Sequence, residues 1–157
     1  METIIIGLGN PILGDDGVGW KVAEEILSKG LYNSKMVEVD FLSTGGLALM
    51  ERLAGYHRAI LVDALYTSQN KPGTVFCLRL EDLPDRKTGH MSSAHDVNIR
   101  TALKLGREMG FQLPDQIYIV GIEAQRVYDF TEELSPVVEA AVPQAVKLVS
   151  NILQTVI

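Results

Sequence analysis

Asp16, Asp63 and His95 are the residues whose types and positions best suit chemistry in this chain of 157 residues. Asp16 stands in a glycine-rich turn, Asp63 closes an apolar segment, and His95 opens a helical stretch after a polar loop. Two carboxylates and one neutral imidazole form a three-ligand set for a borderline divalent metal, with coordination positions left open. Either carboxylate also suits general-base work on water. A helix N-terminus disfavours imidazolium, which would keep His95 able to ligate. Each residue has an ordinary reading as well. Asp15 or Asp16 suits a helix cap, an aspartate at a strand end suits a turn, and a histidine in a helix cap is usually solvated. The chemical reading therefore depends on whether the fold brings the three together.

The elements that must do so begin with Thr3 to Glu25. Ile4, Ile5 and Ile6 predict a strand covered on both faces. Gly7, Gly9, Gly14, Gly17 and Gly19 follow, and then Val18, Val22, Ile26 and Leu27 mark a helix at nearly 3.6 spacing. Further strands are expected over Met36 to Leu42, Arg58 to Asp63, Thr74 to Leu80 and Gln116 to Ile122. A short helix is expected over Leu47 to Leu53. A longer one runs from about Ala94 to Met109, opened by a capping box, Ser93-Ala94-His95-Asp96. Ser135-Pro136 reads as an N-cap with proline at the first helical position. Pro143 kinks the last helix or marks its start. Alternating strands and helices predict one α/β domain over residues 1–157. It should have three layers, a mostly parallel twisted sheet and helices on both faces. The segment at Thr74 is the expected antiparallel edge strand. On this plan Asp16 and Asp63 share the carboxyl edge of the sheet, where open α/β folds bind ligands.

Composition narrows the function. Hydrophobic residues make up 46% and the net charge is −6. No basic block is visible, which argues against nucleic acid or an anionic membrane surface as partner. A single cysteine, Cys77, permits no internal disulfide and is read as inert core in an apolar strand. METIII runs straight into a strand, with no signal peptide and no membrane-spanning run, so a cytoplasmic protein is expected. Gly7-x-Gly9 lacks the third glycine of a dinucleotide fingerprint, since Ile12 stands in its place. Phosphate-loop, zinc-helix and serine-elbow patterns are absent.

Gly7-Leu8-Gly9-Asn10-Pro11 followed by Gly14-Asp15-Asp16-Gly17-Val18-Gly19 resembles the opening motif of the NiFe-hydrogenase maturation proteases. Thr44-Gly45-Gly46, Leu61-Val62-Asp63-Ala64, Ser92-Ser93-Ala94-His95 and Val120-Gly121-Ile122-Glu123 follow in the family's order. Where that family commonly has a further glycine before the threonine, Ser43 stands here. The resemblance implies an endopeptidase that removes a C-terminal extension from a hydrogenase large-subunit precursor after nickel has entered it. It also implies that Asp16, Asp63 and His95 contact that nickel and carry the catalysis. Gly9, Asn10, Asp15, Thr44, Gly45 and Gly46 would bind substrate. Nickel would arrive with the precursor, with no organic cofactor, and the protease would work as a monomer.

Two other readings remain open on the sequence. Peptidyl-tRNA hydrolases also open with Gly-Leu-Gly-Asn-Pro, but they continue with a glycine where Ile12 stands, and their substrate calls for basic surface. A non-catalytic nucleotide- or small-ligand-binding module would use the glycine turn as an anion cradle. Asp15 and Asp16 place negative charge where that anion would sit.

Overall fold

The computed structural model describes residues 2–83 and 94–156, with the backbone alone for 94–98. Its strands are β1 (Thr3–Leu8), β2 (Val37–Leu42), β3 (Arg58–Leu65), β4 (Val75–Arg79) and β5 (Gln116–Glu123). Its helices are α1 (Val18–Lys29), α2 (Gly46–Leu53), α3 (Ala94–Glu108), α4 (Pro136–Glu139) and α5 (Val142–Leu153). Short 3-10 turns cover Gly14–Gly17 and Leu80–Asp82. The strands form one sheet in the order β2-β1-β3-β5-β4. Neighbours are parallel except β4, which runs antiparallel to β5 with Val75 opposite Ile122. The chain between β3 and β4 holds no helix to carry a crossover, and β4 runs back antiparallel at the edge.

Side chains alternate across the pleat, so β1 supplies two cores. Ile5 faces α1 and α5 with Ile60, Val62 and Val120. Ile4, Ile6 and Leu8 face α2 and α3, against Leu53, Ile99 and Leu103. Both faces of β1 are covered, which is why its sequence is a continuous apolar run rather than an alternating one. Among the described residues no helix is long and apolar enough to cross a membrane.

Helix α1 rests directly on the strands because Gly19 has no side chain. A Cβ there would stand 2.2 Å from the Val62 carbonyl oxygen and 2.5 Å from that of Leu8. Both are backbone atoms of central strands and cannot yield cheaply. Gly19→Ala is therefore expected to cost on the order of 2–4 kcal/mol, read by urea denaturation. A loss below about 0.5 kcal/mol would mean that α1 shifts freely on the sheet.

One expectation needs correction, while the Ser135-Pro136 start and the Pro143 start of the last helix are met with added detail. Cys77 is exposed rather than core, because β4 is an edge strand with cover only in part. Ser135 occupies the N-cap of α4, but its side chain makes no cap hydrogen bond; its hydroxyl is engaged elsewhere. The final helical stretch is broken, with α4 ending at Glu139 and Pro143 in the first turn of α5, where its missing N–H is harmless. Residues 84–93, and with them the start of the expected capping box, lie outside the described residues.

Candidate active site

The site is built where β1 leaves the sheet. The last β1–β3 pair is Gly7 with Val62. Beyond it β3 continues beside β5, so Asp63 pairs with Gly121 alone. The departing chain turns at Gly9, whose φ is +135°. A Cβ on Gly9 would meet the Asp16 carbonyl oxygen at 1.9 Å, so only glycine lets the turn fold over itself. The 3-10 turn then carries Asp15 and Asp16 back over the carboxyl end of β3. Neither aspartate makes a side-chain cap to the 3-10 turn or to α1.

The two neighbours do different things. Asp15 is fully buried. One carboxylate oxygen accepts the Ser135 N–H at 2.7 Å. The other accepts the backbone N–H groups of Gln125 and Arg126 at 2.8 and 2.7 Å and the Ser135 hydroxyl at 2.8 Å. These bonds tie the turn to the segment after β5. Asp16 is half-buried and faces the other way. Its Oδ2 accepts the Asn10 N–H at 2.8 Å, and its Oδ1 accepts the Tyr66 hydroxyl at 2.5 Å. Burial, that hydrogen bond and the charges of Asp16, Asp63 and Asp15 hold the Tyr66 phenol far above its usual range. The phenol is therefore a hydrogen-bond donor at any working pH.

Asp63 is fully buried, and its Oδ1 accepts the Ala64 N–H at 2.9 Å. By the alternation of β3 it falls on the face of Ala59 and Leu61, the face that α2 and α3 cover. Helix α3 ends beside the start of β5, where Arg107 donates to the Pro114 carbonyl. Its first turn, which includes His95, is thus the end directed toward the carboxyl edge; the His95 side chain lies outside the described residues. Asn10 and Gly9 wrap Asp16 directly, and the Gly9 N–H donates to the Leu42 carbonyl at the end of β2. Thr44, Gly45 and Gly46 follow β2 at the same edge, with Thr44 exposed. Among the described residues no group of three His, Cys, Asp or Glu side chains forms a ready metal site. A groove of about 1060 Å³ lies between α1 and the 126–143 segment, but it contains neither Asp16 nor Asp63. The oriented, half-buried carboxylate of Asp16 weighs more here than the size of an open groove.

Tyr66 and Glu123 are site residues to which the sequence assigns no role. Glu123 is buried at the end of β5 and accepts both the N–H and the hydroxyl of Thr67. An acid closing a buried strand was the available signal for Glu123; Tyr66 follows β3 in a loop and carries none.

Known proteins share this sequence pattern and fold. A family model described as hydrogenase maturation protease matches residues 21–152. The chain is 28% identical over 149 residues to Hydrogenase 2 maturation protease of Escherichia coli K12, covering 95% of this chain and 88% of that one. It is 30% identical over 143 residues to Protein FrxA of Pyrococcus furiosus, covering 90% and 98%. The solved structure of hydrogenase maturating endopeptidase HybD from E. coli has a TM-score of 0.83 at 26% identity, with 98% and 93% of the chains covered. The corresponding values for HybD from Thermococcus kodakarensis are 0.76, 27%, 98% and 100%. By a family match over most of its length and by a fold shared with these endopeptidases, the chain is a peptidase and belongs to the hydrogenase maturation protease family.

Proposed function

We propose that this peptidase removes a C-terminal extension from a NiFe-hydrogenase large-subunit precursor, and that Asp16, Asp63 and His95 together recognise nickel already seated in that precursor. The observation that supports the reading is Asp16, half-buried with its carboxylate held by Asn10 and Tyr66, at the same carboxyl edge of the sheet as Asp63 on β3. An acidic edge of this kind attracts a cation and repels phosphate, which weighs against an anion-binding module or a tRNA substrate. Carboxylate and imidazole suit nickel, whose selection depends on geometry more than raw affinity. Gly9, Asn10 and the Thr44-Gly45-Gly46 turn flank the aspartates and hold the precursor's peptide alongside. Contact with the metal brings the scissile bond close, gaining from proximity. Water is the nucleophile; a carboxylate accepts its proton, or the substrate's nickel lowers its pKa. The recognition handle belongs to the substrate, so no organic cofactor is needed.

A pair of precursor preparations, nickel-loaded and empty, tests this at equal protease concentration. Release of the C-terminal peptide, followed by mass analysis, is expected from the loaded precursor alone. The purified protease should itself hold substoichiometric metal, since an open three-ligand set without thiolate binds less tightly than a closed site. Equal cleavage of both preparations would show that the aspartates serve ordinary hydrolysis or structure.

A further inference from the structure

We propose that Tyr66 is a positioning residue for Asp16, held in place from β5 through Thr67 and Glu123. The inference rests on the reading above, in which Asp16 meets the substrate's metal. An aspartate side chain at a half-exposed position turns freely about two bonds unless both ends of its carboxylate are held. Here the Asn10 N–H holds Oδ2 and the Tyr66 hydroxyl holds Oδ1, at 2.8 and 2.5 Å. Two donors on different oxygens fix the plane of the group. Each oxygen keeps a further acceptor position for a ligand. With Asn10 alone, the plane swings about the remaining bond.

Tyr66 can orient Asp16 only if it is itself immobile, and the fold provides for that. Its ring packs against the core shared by α1 and α5. The next residue, Thr67, donates its N–H to Glu123 Oε2 at 2.9 Å and its hydroxyl to Glu123 Oε1. Glu123 also anchors the far end of the same loop. Its N–H donates to the Thr74 carbonyl at 2.9 Å, and its carbonyl accepts the Gly73 N–H at 2.8 Å. A buried carboxylate is costly in an interior unless its acceptors are filled. Glu123 fills them with one threonine whose neighbour reaches the site. The contacts run from a central strand, through Thr67 and Tyr66, to Asp16. Such support is what a ligand needs to meet a metal in a set geometry.

The test measures affinity for nickel-loaded and nickel-free precursor with four proteins: the parent, Tyr66→Phe, Asp16→Asn and the double variant. Tyr66→Phe keeps the ring, so its melting temperature should stay within about 3 °C of the parent. Its affinity for loaded precursor should fall roughly tenfold, the scale for removing a group that orients a metal ligand. Affinity for empty precursor should not change. In the Asp16→Asn background the same substitution should add less than about twofold, because Tyr66 then has nothing to orient. Equal weakening toward both precursors, a full effect in the Asp16→Asn background, or no effect at all would each overturn the assignment. If Asp16→Asn itself leaves the discrimination between loaded and empty precursor intact, the nickel-reading function falls, and this inference falls with it.

Discussion

Asp16→Asn and Asp63→Asn are each expected to slow release of the C-terminal peptide by on the order of a thousandfold or more, with the fold left in place. The amide removes the charge proposed to meet the metal but keeps an oxygen. In Asp63→Asn that oxygen can still accept the Ala64 N–H, a bond made by the carboxylate at 2.9 Å. In Asp16→Asn it can serve Tyr66 or Asn10, and the half-exposed position lets water meet the rest. Stability should therefore change little while processing is lost. His95→Ala should behave in the same way if its imidazole completes the set. Peptide release by mass analysis and thermal unfolding on the same preparations give the comparison. Retained cleavage in Asp63→Asn would take that residue out of the mechanism.

The adjacent residue should give the opposite result. Asp15→Ala is expected to cost about 3–5 kcal/mol. The carboxylate satisfies three backbone N–H groups and one hydroxyl in a site closed to solvent. Alanine leaves all four donors without a partner. Asparagine does not rescue them, because every acceptor position faces a donor. An amide NH2 at Oδ1 would confront the Ser135 N–H, and at Oδ2 it would confront two backbone N–H groups. Asp15→Asn should therefore lose stability nearly as heavily in urea denaturation. A loss below about 1 kcal/mol would mean that water takes over the carboxylate's bonds.

The contrast between Asp15 and Asp16 shows where sequence reading stops. The parallel sheet was legible because Ile4 to Ile6, Ala59 to Val62 and Ile117 to Val120 are apolar runs separated by helical periods. The carboxyl edge followed from that plan, since Asp16 and Asp63 each come just after or at the end of a strand. Nothing in the spacing tells which of two adjacent acids turns inward. In a 3-10 turn successive side chains point about 120° apart, so the answer lies in what packs against each. The inward partners, Gln125, Arg126 and Ser135, are far along the chain. Tyr66 was hidden for a related reason: a tyrosine in an irregular loop acquires meaning only when the loop is folded back on the site. Cys77 was misread because an apolar strand pattern does not reveal that one side of an edge strand lacks full cover.

The clamp at Asp15 also bears on when the molecule becomes competent. Its bonds span 110, 111 and 120 residues of chain, and Leu13 forms a bridge with Thr131 in the same place. Contacts so distant in sequence close late, because the intervening loop must first lose its freedom. On the ribosome the glycine turn emerges well before the partners of its inward acid, Gln125, Arg126 and Ser135. A chain cut short of Ser135 thus carries Asp16 and Asp63 without the full frame that holds the turn. The bonds that lock the opening motif are therefore expected to be among the last the domain forms, which pulse-labelled hydrogen exchange during refolding would read.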